Sequence, residues 1–165
     1  FLDAIIPNCE KYNVKMAIHP DDPPFSIFSL PRIANNYENI KTILSLNQSH
    51  CNGLTLCTGS LGSSKENNIE DIISLANQRI HFAHVRNVMH YENGDFIETA
   101  HAEPGSVDIA SIMKKFYDIG FSGYVRPDHG RNIWDEKSRP GYGLYDRALG
   151  VMYLLGLWDG FSKGA

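Results

Sequence analysis

The sequence has few cysteines and no apolar run long enough to cross a membrane. Its three cysteines, Cys9, Cys51 and Cys57, are scattered and form no CxxC pair. An odd, sparse count argues against a disulfide framework and predicts a cytoplasmic protein. A membrane-spanning helix needs about 20 apolar residues, and none of the apolar runs approaches that length. We therefore expect no membrane contact.

An excess of positive charge and a phosphate-binding glycine motif are also missing. The formal net charge is −4 at pH 7, from 15 Lys and Arg against 19 Asp and Glu. A nucleic-acid-binding protein typically carries a basic patch, so this balance predicts no nucleic-acid partner. No GxGxxG occurs, which removes the dinucleotide fingerprint. The 42% hydrophobic content is that of an ordinary globular domain.

Short apolar runs alternate with helix-like segments along the whole chain. The predicted strands are 14–18, 53–57, 80–85 and 124–125, and the predicted helices are 3–12, 37–46, 69–77, 107–118 and 142–157. Such alternation predicts an α/β fold with parallel strands under covering helices. Four βα units are half of a (β/α)8 TIM barrel. An open α/β sheet is the alternative.

An isolated half-barrel would leave two exposed sheet edges. The chain also starts without Met, inside the apolar pattern FLDAII. We therefore expect residues 1–165 to be the C-terminal part of a single TIM-barrel catalytic domain, with the other half upstream.

Several local signals add detail to this outline. Asn93-Gly94 lies between two strand-like arms and predicts an inserted β-hairpin over 89–101. The glycine- and serine-rich segment 58–64 predicts a flexible loop. Asn67-Asn68 and Ser106 are candidate helix caps, and Gly120 is a candidate helix stop.

Four potential metal ligands lie at the ends of the four predicted strands, one per strand. They are His19, Cys57, His84 and Asp128. Parallel strands of a barrel bring their carboxyl ends to one face, where catalytic residues lie. Imidazole, thiolate and carboxylate together suit a borderline divalent ion such as Mn²⁺, Fe²⁺, Co²⁺ or Zn²⁺.

Each of these residues alone has an ordinary structural explanation. A cysteine in an apolar strand is usually a core residue, a histidine at a strand end is often hydrogen-bonded, and an aspartate beside proline often forms a turn. Four such residues at equivalent strand ends favour a shared metal. Their long separations argue against a zinc knuckle, which has short paired spacings.

Other residues near these strand ends are candidates for acid–base chemistry and substrate binding. His129 follows Asp128 directly and has an ordinary pKa near neutrality, so it could transfer a proton; the alternative is a loop cap. Tyr142 lies in the glycine-flanked segment RPGYG and could also transfer a proton, or else pack beneath the last helix.

Three further residues are candidates for substrate binding. Arg86 and Arg126 could each bind a carboxylate through two N–H groups. The alternative for each is an internal ion pair with Asp21, Asp22 or Asp108. His101, at the end of the hairpin, could close over the site or be a surface residue.

Five segments in order, AIHPDDPP, LTLCTGSLG, RIHFAHVRNV, YVRPDHG and RPGYG, resemble the mannonate dehydratase family over nearly the whole chain. The resemblance implies a xylose isomerase-like (β/α)8 barrel. It also implies Mn²⁺- or Fe²⁺-dependent dehydration of D-mannonate to 2-keto-3-deoxy-D-gluconate, in hexuronate catabolism. The family's metal ligands fall on His19, Cys57, His84 and Asp128, and its proton-transfer residues fall on His129 and Tyr142.

Three other functions compete with this one. A metal-dependent sugar isomerase or epimerase of the same fold usually has a site of carboxylates and histidines, so Cys57 argues against it. A metal-dependent endonuclease needs a basic groove, which the acidic composition does not favour. The third alternative is a non-catalytic, metal-stabilised domain. The expected partner is a small sugar acid, and barrels of this kind often form homodimers.

Overall fold

A four-stranded parallel sheet forms the centre of the fold, with strands in the order Met16–Ile18, Asn52–Cys57, Ile80–His84 and Tyr124–Arg126. The computed structural model describes residues 1–164. The strands are β1 (Met16–Ile18), β2 (Asn52–Cys57), β3 (Ile80–His84), β4 (Asn87–His90), β5 (Phe96–Thr99) and β6 (Tyr124–Arg126). In register, Cys57 lies beside His84, and His84 lies beside Arg126. The carboxyl ends of β2, β3 and β6 are therefore level.

Helices precede, connect and follow the strands of this sheet. They are α1 (Leu2–Lys11), α2 (Tyr37–Leu46), α3 (Thr58–Gly62), α4 (Ile69–Ala76), α5 (Ile109–Asp118) and α6 (Leu144–Lys163), with a 3-10 turn at Asn77–Arg79. The predicted alternation of four βα units is confirmed. No helix in the described part of the chain is both long and apolar enough to span a membrane.

Helix α5 begins later than its predicted cap. The carboxylate of Asp108 accepts the Ser111 N–H at 3.0 Å, so Asp108 is the N-cap. Ser106, the predicted cap, instead accepts the His90 N–H through its hydroxyl and holds the hairpin. The predicted cap at Asn68 is confirmed, since its side chain accepts the Asp71 N–H.

One main core lies between the sheet and helices α4 and α5. It is built from strand residues and from the inward-facing positions of the helices. Fully buried members include Leu54, Leu56, Ile72, Ile73, Val85 and Phe116. The buried positions recur three or four residues apart in α4 and in α5, so each helix buries one face. This packing holds the strands, and hence their carboxyl ends, in place.

The segment after β2 is a buried helix, so the prediction of a flexible loop there was wrong. Every residue of α3 is buried. Thr58 Oγ1 donates to the Arg86 carbonyl at 2.7 Å and accepts the Arg86 N–H at 2.9 Å. A Cβ on Gly59 would lie 2.3 Å from Arg86 Nε. The glycine therefore permits close packing against Arg86 rather than flexibility.

The predicted hairpin is confirmed. Strands β4 and β5 pair antiparallel, from Asn87 opposite Thr99 to His90 opposite Phe96. Gly94 has φ +91°, a left-handed conformation that glycine adopts readily. The hairpin begins three residues after His84, so its base stands at the carboxyl edge of the sheet.

Candidate metal centre

Three of the four predicted ligands converge at the carboxyl edge of the sheet. One donor atom from each of His19, Cys57 and His84 lies within 4.8 Å of the other two. His19 is exposed, whereas Cys57 and His84 are buried. The cluster therefore has a protein-enclosed side and an open side.

The two histidines point ring nitrogens at one another. His19 Nε2 is 3.1 Å from His84 Nδ1. His19 Nδ1 lies 2.6 Å from the Pro20 carbonyl oxygen, which only accepts hydrogen bonds. Nδ1 of His19 therefore carries the proton, and Nε2 presents a lone pair to the cluster.

His84 is suited to a neutral, ligating imidazole. Burial lowers its pKa to about 4, outweighing the opposite effect of Asp128. Its Nε2 is buried and lacks a hydrogen-bond partner among the described residues. A metal ligand must be deprotonated, and His84 meets that condition at neutral pH.

Cys57 is completely buried at the start of α3. Its Sγ accepts from the Ser60 N–H at 3.4 Å and from the Ser60 hydroxyl at 3.0 Å. Burial, reinforced by the charge of Asp128, raises the pKa of the Cys57 thiol above its ordinary value. A thiolate at this position needs additional positive charge, which a bound divalent cation supplies.

Asp128 lies beside this cluster. Its Oδ1 is 3.5 Å from His84 Nδ1, and its Oδ2 is 3.5 Å from Cys57 Sγ. Burial would raise its pKa, but nearby positive groups, led by His129 and Arg86, hold the pKa below the ordinary value. The backbone of Asp128 has φ +63°, which aspartate tolerates better than most residues. Its carbonyl accepts from Arg147 Nε at 3.1 Å, which fixes this turn.

The donor set fits a borderline divalent ion. It contains two imidazoles, one sulfur and an adjacent carboxylate, and cysteine is not a ligand in an all-oxygen magnesium or calcium site. The buried sulfur of Cys57, in one cluster with His19 and His84, is explained better with a cation than without one.

Arg86 donates to three carboxylates at once. Its Nε lies 2.8 Å from Asp128 Oδ2, its Nη1 2.7 Å from Glu98 Oε1, and its Nη2 2.7 Å from Asp22 Oδ2. The residue is 4% exposed. The alternative of an internal ion pair with Asp22 is therefore present. All three nitrogens therefore hold protein carboxylates, and binding of a substrate carboxylate by Arg86 stays a prediction.

His129 lies at the open side of the cluster. Its Nδ1 is hydrogen-bonded to Glu98 Oε1, and its Nε2 is 3.9 Å from Asp128 Oδ1. The hydrogen bond to Glu98 raises the pKa of His129. The ring is therefore held by the hairpin, and its second nitrogen faces the metal-ligand cluster.

Arg126 and Tyr142 remain accessible. The side chain of Arg126 is 38% exposed, with Nη2 3.4 Å from Asp128 Oδ1. Tyr142 is exposed, and the guanidinium groups of Arg139 and Arg147 lie 5.5 and 5.3 Å from the centre of its ring. It does not pack under the last helix. Its loop joins the turn after Asp128 through a hydrogen bond from Gly143 N to the Gly130 carbonyl.

His101 is not on the surface, so the surface alternative was wrong, whereas its part in substrate binding stays a prediction. It is buried, and its Nε2 is 2.6 Å from the Val85 carbonyl oxygen. A Cβ on Gly150 would lie 2.6 Å from its ring, so the imidazole packs directly against α6. Desolvation by burial lowers its pKa. Its position is that of a hydrogen-bonded core histidine.

The sequence did not predict the part played by Glu98. It is one of several acidic residues in the hairpin, and no motif distinguishes it from Glu92 or Asp95. Only the pairing of β4 with β5 brings its side chain to Arg86 and His129. The sequence indicates Asp22 only as an ion-pair partner, and Asp22 does pair with Arg86.

Comparison with known proteins is consistent with this geometry. The family model for D-mannonate dehydratase (UxuA) matches residues 1–165. The chain is 56% identical over 165 residues to mannonate dehydratase 1 of Halalkalibacterium halodurans, covering 99% of this chain and 46% of that protein. The chain thus spans about half the length of the curated relatives it matches.

Solved structures agree on the fold. The crystal structure of mannonate dehydratase from Streptococcus suis serotype 2 superposes with a TM-score of 0.92 at 44% identity, covering 99% of this chain and 48% of that one. A D-tagatose 3-epimerase-like protein superposes with a TM-score of 0.68 at 15% identity, covering 99% and 54%, and shows likeness of fold alone. The predicted fold class, roughly half of a (β/α)8 barrel with an inserted hairpin, is confirmed over the open-sheet alternative. The chain belongs to the D-mannonate dehydratase family.

Proposed function

We propose that the protein carrying this chain is a metal-dependent hydro-lyase that converts D-mannonate to 2-keto-3-deoxy-D-gluconate and water. Family membership supports the reaction. The observation that carries the site is the convergence of His19, Cys57 and His84 at one sheet edge, with Asp128 beside them. The substrate in this proposal is a small sugar acid that enters from the exposed, His19 side.

The same four residues would hold one divalent ion, and we propose Mn²⁺ or Fe²⁺. Asp128 is not a member of the three-residue cluster, but its carboxylate lies within 3.5 Å of His84 and Cys57. An ion held by these residues would supply Lewis acidity, which would draw electron density from a substrate carboxylate and so acidify the neighbouring C–H bond.

The remaining chemistry is proton transfer. Loss of water from D-mannonate removes the proton at C2, forms a double bond between C2 and C3, and breaks the C3–O bond. The departing hydroxyl takes a proton and leaves as water, and the resulting enol tautomerises to the 2-keto acid. One base and one acid are needed.

We propose His129 and Tyr142 as this acid–base pair. His129 Nε2 faces Asp128, and Tyr142 is presented by the loop that pairs with the turn after Asp128. Arg126, partly exposed beside the same carboxylate, is the arginine available to a substrate. Arg86 is assigned a different role, which is to hold Asp128, Glu98 and Asp22 in place.

Metal content tests this proposal. Cys57→Ser replaces a soft ligand with a weak one, so elemental analysis should find about one Mn or Fe per wild-type chain and a clear loss in the variant. Cys51→Ser is the matched control, because Cys51 is also buried but belongs to a separate apolar cluster with Ile6 and Cys9. Its metal content should equal that of the wild type.

A product assay with D-mannonate, with and without chelator, completes the test. A keto-deoxy acid that disappears with chelator supports the dehydratase, whereas a ketose product would identify an isomerase. An equal metal content per chain in wild type and Cys57→Ser would show that Cys57 is a core residue and not a ligand. A homodimer and a cytoplasmic location remain predictions.

A further inference from the structure

One carboxylate oxygen on the hairpin connects two parts of the site. Glu98 Oε1 accepts from Arg86 Nη1 at 2.7 Å and is also hydrogen-bonded to His129 Nδ1. Glu98 is half-buried on β5, whereas the other hairpin acids, Glu92 and Asp95, are exposed. The hairpin is therefore a structural support for the site through this one side chain.

We infer that Glu98 is a positioning residue for His129, holding its ring so that Nε2 alone faces the metal and substrate. The inference rests on the proposed function for its catalytic meaning. Glu98 lies on the Nδ1 side of the ring, away from the cluster, and Nε2 lies 3.9 Å from Asp128 Oδ1. No role of this kind follows from the sequence pattern.

The shared oxygen determines the tautomer of His129. Arg86 Nη1–H occupies one lone pair of Glu98 Oε1, so that oxygen is an acceptor. The hydrogen bond with His129 therefore requires the proton on Nδ1. A neutral imidazole with its proton on Nδ1 has its lone pair on Nε2, which is the nitrogen that faces the cluster.

Arg86 holds Glu98 in its turn. Its guanidinium is almost fully buried and is fixed by Asp22 and Asp128 as well as by Glu98. A chain of contacts thus runs from Asp128, through Arg86 and Glu98, to the ring of His129. The ligand and the proton-transfer residue, although adjacent in sequence, are fixed relative to one another through the hairpin.

Three variants test the inference. Glu98→Ala removes the acceptor. Glu98→Gln keeps one acceptor oxygen, and the Arg86 N–H still needs it, which prevents the amide from turning its NH₂ toward His129. Glu92→Gln, at the exposed hairpin turn, removes one negative charge from the same hairpin without touching the site.

The first measurement is the ring tautomer of His129 by ¹⁵N NMR on the metal-free protein. We expect Nδ1–H in the wild type, Glu98→Gln and Glu92→Gln, and loss of that preference in Glu98→Ala. An unchanged tautomer in Glu98→Ala overturns the inference. This readout needs no turnover, so it stands even if D-mannonate is not the substrate.

The second measurement is steady-state dehydration of D-mannonate by the complete protein. In Glu98→Ala, kcat should fall about 10- to 100-fold, the range for removing a partner that orients a site histidine. KM should stay close to the wild-type value, and Glu98→Gln should recover most of kcat. Equal losses in Ala and Gln, or a loss matched by unfolded protein, would make Glu98 merely structural. Wild-type protein with the expected tautomer but no dehydration would instead refute the proposed function.

Discussion

Arg86 is the residue whose loss should affect the fold most. Its guanidinium donates to Asp22, Glu98 and Asp128 over distances of 2.7 to 2.8 Å. We consider Arg86→Met, which keeps an unbranched apolar stem and removes the guanidinium group with its charge. Three carboxylates would then lie close together without their common cation.

The magnitude follows from burial. The side chain of Asp128 is 5% exposed, whereas those of Glu98 and Asp22 are 27% and 35% exposed. Leaving one buried charge without its partner costs about 3–5 kcal/mol, and the two more exposed carboxylates add little because water screens them. We therefore expect the free energy of unfolding to fall by about 3–5 kcal/mol.

Urea unfolding followed by circular dichroism measures this change. With a slope of about 2 kcal/mol per molar, the midpoint should fall by about 2 M. Chelator in every sample separates the effect from metal binding. The matched control is Arg126→Met, which also removes a cation near Asp128 but one that is 38% exposed and 3.4 Å away. It should cost about 0–1 kcal/mol.

Comparison of the two variants tests whether Arg86 stabilises the fold by holding the three carboxylates together. If Arg86→Met and Arg126→Met lower the midpoint by the same small amount, the buried arginine does not hold these carboxylates together. Arg86 would then not be the residue that links Asp128 to Glu98 and His129.

Two further predictions concern glycine and pH. Gly59→Ala should destabilise by about 1–3 kcal/mol, because its Cβ would lie 2.3 Å from Arg86 Nε. Gly156→Ala, with open space around its Cβ in α6, should stabilise by about 0.5–1 kcal/mol in thermal or urea unfolding; the opposite order would contradict the packing described. Burial alone would raise the pKa of Asp146, but hydrogen bonds from Arg131 outweigh the effect of burial and hold the pKa below its ordinary value. The resulting stability is present above about pH 4 and lost as the pH falls further. Asp146→Asn should therefore be about 1–3 kcal/mol less stable than wild type at pH 7, with the difference vanishing near pH 2.

The sequence predicted much of the fold and the position of the ligand cluster. Apolar runs of strand length, alternating with helix-like segments, indicated parallel strands, and one ligand candidate followed each strand. Because parallel strands bring their carboxyl ends to one edge, position in sequence translated directly into proximity for His19, Cys57 and His84. The same local logic located the hairpin, since Asn93-Gly94 favours a tight turn by its own backbone preference.

Predictions from local composition were wrong where tertiary packing overrides the local conformational preference. Glycine and serine after β2 predicted a flexible loop, yet the segment is a buried helix because its small side chains let Arg86 pack against it. His101 looked like a residue free to move, yet it is buried against Gly150 and hydrogen-bonded to Val85. Neither environment is encoded within the few residues around the position itself.

The sequence by itself determined which residues end the strands, and therefore which atoms meet at the sheet edge. Only the tertiary structure decided which groups surround them. Arg86 finds carboxylates 12, 42 and 64 residues away in the chain, and His129 finds Glu98 at a separation of 31. Strand and turn preferences act over a few neighbouring residues, whereas these ion pairs form only after helices and hairpin have closed around the sheet and excluded water.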